Sequence, residues 1–214
     1  NFVFQSALFM ENKNYQEDLQ HIRKMMEKSS RFISLSGISG VFAGLFALAG
    51  AIYVYFFFKK NGVDYFEGTV KYYEKDFIVH LVIVAMIIMV LAISSGAYFT
   101  IKKSKAHHLQ IWDVTTKKLL YNFAIPLGIG GLFCAGLLYH GLHGLLSPAT
   151  LIFYGLALFN AGNYTFSDIK YLGLCEMALG IVSLFFLGYG LFFWAIGFGV
   201  LHIVYGLIMH KKYK

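Results

Sequence analysis

Six apolar runs, each bounded by charged or turn-forming residues, set out the chain: Phe32–Phe58, Phe77–Ile101, Leu119–Tyr139, Leu145–Asn163, Ile169–Gly188 and Leu191–His210. At about 1.5 Å of rise per residue, each is long enough, or nearly so, to cross a hydrocarbon core of about 30 Å as a helix. The last three connections are short, so the third to sixth runs are expected as consecutive antiparallel hairpins. Ahead of them, Tyr15, Leu19, Ile22 and Met26 recur at helical spacing among Glu17, Asp18, Arg23, Lys24 and Lys28. That pattern predicts an amphipathic helix over 10–31 leading into the membrane. Residues 1–9 are expected to be a non-native leader, because Asn1-Phe2-Val3-Phe4-Gln5-Ser6 resembles the remnant of an engineered protease site and Met10 reads as the natural start. The expected fold is therefore all-α: a polytopic membrane protein with a six-transmembrane-helix bundle over 32–210, an N-terminal cytoplasmic amphipathic helix and a short cytoplasmic tail over 211–214.

Composition agrees with that pattern. With 58% hydrophobic and 14% charged residues and two prolines in 214, the chain is neither an ordinary soluble domain nor a disordered one. The formal charge of +7 reads as topology. With the N-terminus inside, fourteen of the 18 lysines and arginines fall on the cytoplasmic side and only Lys59, Lys60, Lys71 and Lys75 on the other, so both termini are expected in the cytoplasm. The basic inner loop from Lys102 to Lys118, with His107, His108 and Trp112, is expected to meet anionic lipid headgroups. The lipid bilayer and those headgroups are thus the expected partners, and the positive charge requires no nucleic acid. Cys134 and Cys175 lie within apolar runs without CxxC spacing, so they read as packing residues. No GxSxG, Walker-type loop or HExxH occurs, which leaves an enzymatic reading without a motif.

The chemistry concentrates in Gly173–His210. Gly173, Glu176, Gly180 and Ser183 share one face of a helix, and Gly199, His202, Gly206 and His210 share one face of the next. Small residues at that spacing mark where membrane helices approach closely, so Glu176 and His202 are expected to point at neighbouring helices. A hairpin centred on Tyr189 brings the two to the same depth, roughly 10 Å from the cytoplasmic ends of their helices. Glu176 is the one acid inside an apolar run, and an ionisable residue there is a functional-site hypothesis by default. The competing expectation is that the pair only locks the bundle.

Other polar residues of the runs fall in the cytoplasmic half: Ser34, Ser36, Ser39, Ser94, Ser95, Asn122, Asn160 and Asn163. Ser36, Ser95, Asn122 and Asn160 are therefore candidates to line, with Glu176 and His202, a polar vestibule open to the cytoplasm. Pro126 is expected to free backbone groups at similar depth. On the outer face, His80, His140 and His143, with Glu74 or Asp76, form a candidate site for a divalent metal such as zinc or copper, although nothing in the sequence requires a cofactor. Gly40 and Gly44 form a GxxxG pair expected to pack against a helix of the same chain or across a homo-oligomer. Ile152-Phe153-Tyr154-Gly155-Leu156 is echoed by Ile203-Val204-Tyr205-Gly206-Leu207, which suggests parallel repeats of two helices each.

The segment Lys24-Met25-Met26-Glu27-Lys28-Ser29-Ser30-Arg31-Phe32-Ile33-Ser34-Leu35-Ser36-Gly37-Ile38-Ser39-Gly40 resembles the start of a group of small six-helix integral membrane proteins of Bacteroidetes-type bacteria. The resemblance implies a bacterial inner-membrane protein and transfers no activity and no functional residue. Two functions follow as expectations: a small transporter or polar-ligand or ion-binding protein using Glu176 and His202, or a membrane scaffold or regulatory subunit whose polar cluster fixes packing. An outer-face metal-binding protein is the third.

Overall fold

The computed structural model describes residues 36–62, 74–106 and 111–213. The leader over 1–9, the amphipathic helix over 10–31, His107, His108 and most of the segment carrying the resemblance lie outside the described residues. Within them the chain forms six helices: α1 (Gly37–Lys60), α2 (Lys75–Ala106), α3 (Val114–Tyr139), α4 (Leu146–Ala161), α5 (Asp168–Leu184) and a composite α6 (Leu187–Lys212). Five are long and apolar enough to cross a membrane, α4 counting with the tight turn His143–Leu145 that precedes it. The remaining one, α5, has 17 residues and a length of about 25 Å. It stops at Leu184, short of the expected Gly188, because the chain tightens into a separate turn over Leu187–Tyr189 before α6 begins.

Local chemistry sets several of these ends. Asp113 caps α3: its carboxylate accepts from the Thr116 N–H and hydroxyl, both at 2.7 Å. α1 ends on Lys59 and Lys60, cations suited to the negative end of the helix dipole. Gly141 turns the chain from α3 toward α4 at φ +71°, a backbone setting that side chains disfavour.

Small residues decide the packing. α4 and α5 form the most extensive pair, α3 lies against α4, and α1 lies against both α6 and α2. At the α4–α5 crossing a Cβ on Gly155 would sit 2.6 Å from the Gly173 carbonyl, and one on Gly173 would sit 2.6 Å from the Gly155 carbonyl. Gly180 packs in the same way on Ile152. The glycines of the α5 stripe therefore pack on α4. The small residues of α6 face α1 instead: Gly206 meets Gly37 and Val41, and Gly199 meets Leu48. In lipid, close backbone approach is favoured wherever two small-residue stripes coincide, whichever helix follows in sequence. The Gly40 and Gly44 pair is occupied by α6 of the same chain, Gly44 against the Gly199 carbonyl and Gly40 against the His202 carbonyl.

Gly37 packs beside His210, so the first and last described residues lie at one end of the bundle. There Tyr213 stacks on Phe166 at 3.9 Å and its hydroxyl donates to Asp168 at 2.5 Å, while Lys212 donates to both Asp168 oxygens at 3.0 Å. Lys103 of α2 donates to the Tyr213 carbonyl at 3.2 Å. α2 packs on α1 and turns a continuous apolar surface outward, including Ile83, Met86, Val90 and Ile93. Large exposed apolar side chains on nearly every helix are what a lipid-facing surface needs.

Candidate functional site

The site forms where α4, α5 and α6 meet in the bundle interior. α5 supplies Glu176, whose solvent exposure is 0%. α6 is a regular helix over His202–Lys212 but widens to a π-helix over Ala195–Leu201. Gly197 and Gly199 bracket that segment's middle and point to different neighbours, Gly197 to Glu176 and Leu151 and Gly199 to Leu48. A Cβ on Gly197 would sit 2.5 Å from Glu176 Oε2, so the missing side chain at 197 is the space the carboxyl occupies. The expected single face of Gly199, His202 and Gly206 is accordingly split: the glycines face α1 and the His202 side chain faces α4 and α5. Single-turn π segments recur at functional sites because they re-aim the following side chains.

His202 is 6% exposed and joins three partners. Its Nδ1 lies 3.0 Å from the Gly197 carbonyl and 3.3 Å from Glu176 Oε1, and its Nε2 lies 2.8 Å from the Tyr154 hydroxyl. Two acceptors beside Nδ1 place a proton on that nitrogen. The neutral ring then accepts the Tyr154 hydrogen at Nε2. The Nδ1–H is aligned on the Gly197 carbonyl, so Glu176 Oε1 is a close electrostatic neighbour and neither carboxyl oxygen makes a hydrogen bond. Leu151, with no exposed surface, closes one side. Phe198 stacks over His202 with centroids 6.0 Å apart and packs on Tyr154 at 4.9 Å, and Phe123 meets the other side of Tyr154 edge-on at 6.1 Å. A carboxyl, an imidazole and a phenol thus lie together, Glu176 and His202 buried and Tyr154 half-buried.

The other expected ligands stay on their own helices. The Ser95 hydroxyl donates to the Ala92 carbonyl at 2.9 Å and the Asn122 amide to the Lys118 carbonyl at 2.8 Å. Ser36 is half-buried at the start of α1, where its carbonyl accepts from Ser39, and Asn160 is half-buried in the last turn of α4. Serine and asparagine can satisfy themselves on a carbonyl three or four residues back, which removes the driving force to converge on a shared vestibule. Pro126 lies buried inside α3.

The three histidines expected on the outer face are His80, His140 and His143. Among the described residues no group of three or more His, Cys, Asp and Glu side chains is placed to hold a metal ion. His80 turns to α1, where its Nε2 lies 2.9 Å from the Tyr53 hydroxyl and its ring stacks on Phe57 at 4.3 Å. His140 caps α3 with its ring edge-on to Tyr139, and His143 opens the turn before α4. The three rings share an end of the bundle but are turned to different neighbours.

Sequence reasoning missed Tyr154 and Gly197, since an aromatic on an apolar helix reads as packing and a glycine as contact. The echoed Tyr-Gly pairs carried the signal: Tyr154 reaches His202 on α6 while Gly155 packs on α5, and Tyr205 lies 3.7 Å from Cys175 Sγ on α5 while Gly206 packs on α1. No family model, curated protein sequence or solved structure matches this chain.

Proposed function

We propose that the chain is a small transporter or ion-binding protein of the bacterial inner (cytoplasmic) membrane, working through a protonatable site at Glu176, His202 and Tyr154. In this reading all six helices cross the bilayer, α5 included, with both termini cytoplasmic. The lysine and arginine bias supports that orientation, as does the meeting of Gly37 and His210 at one end of the bundle. The resemblance of residues 24–40 to small membrane proteins of Bacteroidetes-type bacteria supports the bacterial assignment.

One observation carries the reading. Among the described residues Glu176 is wholly buried, neither of its oxygens has a hydrogen-bond partner, and its ion-pair neighbour is His202 at 3.3 Å. Burying a charge without partners costs several kcal/mol, so a carboxyl held this way suits a role in which its proton comes and goes. A single proton has two seats here, the Glu176 carboxyl or His202 Nε2, because Nδ1 already carries its own hydrogen. With the imidazole neutral, Tyr154 donates to Nε2; with it cationic, Nε2–H donates to the Tyr154 oxygen. Moving one proton therefore reverses one hydrogen bond between α4 and α6 and switches an ion pair between α5 and α6.

A second reading, a scaffold or regulatory subunit, is favoured by the engagement of both His202 nitrogens. Proton or solute flux in proteoliposomes separates the two. Under the transport reading Glu176→Gln and His202→Ala stay folded and lose flux. A wild type without flux, together with variants that lose much stability, would support the scaffold.

A further inference from the structure

At the end of the bundle away from Gly37 and His210, the helices part around a cavity of about 400 Å3. Ala51 of α1 and Ala85 and Ile88 of α2 form one wall, and Ser147 and Thr150 of α4 with Trp194 of α6 form the other. We propose that this cavity holds one acyl chain of a bilayer lipid.

Three observations carry the inference. The first is chemical. The lining is mostly apolar; its two hydroxyls already donate to backbone carbonyls, Ser147 to Gly190 at 2.6 Å and Thr150 to Ser147 at 2.9 Å, and His143 is the one ionisable side chain in it. A polar solute or a water cluster needs two or more partners, whereas a hydrocarbon chain needs none. The second is access. α2 packs on α1 and leaves its cavity-lining residues facing α4 and α6 across the gap, with its remaining surface apolar and exposed. The opening between α2 and the far wall therefore faces hydrocarbon. The third is persistence. At Gly50 the backbone of α1 is already in contact range of the Ile88 side chain, which seats α2 against α1 at that level. The width comes from small side chains, Ala51 and Ala85, and the volume falls in the range of small-ligand sites, about 300–1,000 Å3. An unfilled apolar void of that size forfeits van der Waals contacts along its whole wall. The nearest source of apolar matter is the bilayer itself.

Trp194 lines the cavity and is one of only two tryptophans, the other being Trp112. A Trp112→Phe chain reconstituted in nanodiscs therefore reports on the cavity through Trp194 fluorescence. The probes are phosphatidylcholine with acyl chains brominated at mid-chain and the same lipid unbrominated. Mid-chain bromine is expected to quench Trp194, and adding Ala85→Phe, which fills the cavity, is expected to relieve most of that quenching. Ile83→Phe, on the same helix but outside the cavity lining and 52% exposed, is expected to leave it unchanged and controls for folding. Native mass spectrometry after detergent exchange should show one tightly retained lipid in the Trp112→Phe chain and none with Ala85→Phe. Equal quenching with and without Ala85→Phe would overturn the proposal, since Trp194 would then sense only surrounding lipid. Retention of a polar solute in place of lipid would overturn it too.

Discussion

Gly206→Ala tests the α1–α6 seam on which the position of His202 depends. The added Cβ would sit 2.7 Å from the Gly37 carbonyl oxygen, 2.7 Å from the Val41 nitrogen and 2.9 Å from Val41 Cγ2. Ordinary contacts begin near 3.4 Å, so the helices must part by about 0.7 Å, and two of the three obstacles are backbone atoms with no rotamer to escape into. Overpacking of this kind costs about 1–3 kcal/mol, offset by up to about 1 kcal/mol for replacing a helical glycine. The expected net loss is about 1–2 kcal/mol, or roughly 2–8 °C in unfolding temperature for a chain of this size. A thiol-reactive dye that reports exposure of the half-buried Cys134 and Cys175 on heating measures it in detergent. Gly136→Ala on α3 is the control, because a Cβ there meets nothing within 4 Å. The reasoning fails if Gly206→Ala is as stable as the wild type, or if Gly136→Ala loses as much.

Two further outcomes are expected. The Thr116 hydroxyl and N–H hold the Asp113 carboxyl below its ordinary range. A depressed folded value makes the cap's contribution complete above the unfolded pKa of about 3.9 and lost as pH falls through the folded one. Amide protection factors in the first turn of α3 should therefore fall in that acidic window, and Asp113→Asn, which keeps an uncharged cap, should remove that pH dependence. At the end of the bundle that carries His140 and His143, purified protein exposed to zinc should retain no stoichiometric metal after desalting, and replacing those two residues with alanine should leave metal content unchanged. Retention of one zinc, abolished by that double change, would reinstate the metal site.

Each of the six helices matches its apolar run to within five residues at either end, because burial in lipid demands long uninterrupted apolar stretches and lysines mark their limits. The meeting of Glu176 and His202 was legible for a related reason: few ionisable residues are tolerated at that depth, so two at matching height have few alternatives to each other. Pairing between helices was not legible. Gly173 and Gly180 have the spacing to fit any small-residue stripe, and nothing local distinguishes α4 from α6 as the partner. The π segment was hidden as well, since one extra residue in a turn leaves no mark in composition, yet it is what sends Gly199 toward Leu48 and His202 toward Tyr154. The own-helix hydrogen bonds of Ser95 and Asn122 were not legible either, since each uses a carbonyl three or four residues back that composition does not single out.

Infrared difference spectroscopy of the reconstituted protein, scanned over pH, addresses the buried carboxyl directly. The account predicts a carboxylic acid C=O band that comes and goes with pH, vanishes in Glu176→Gln, and shifts in Tyr154→Phe as the hydrogen bond on His202 is lost. A spectrum with no titrating carboxyl band that Glu176→Gln removes would contradict a proton exchanging between Glu176 and His202.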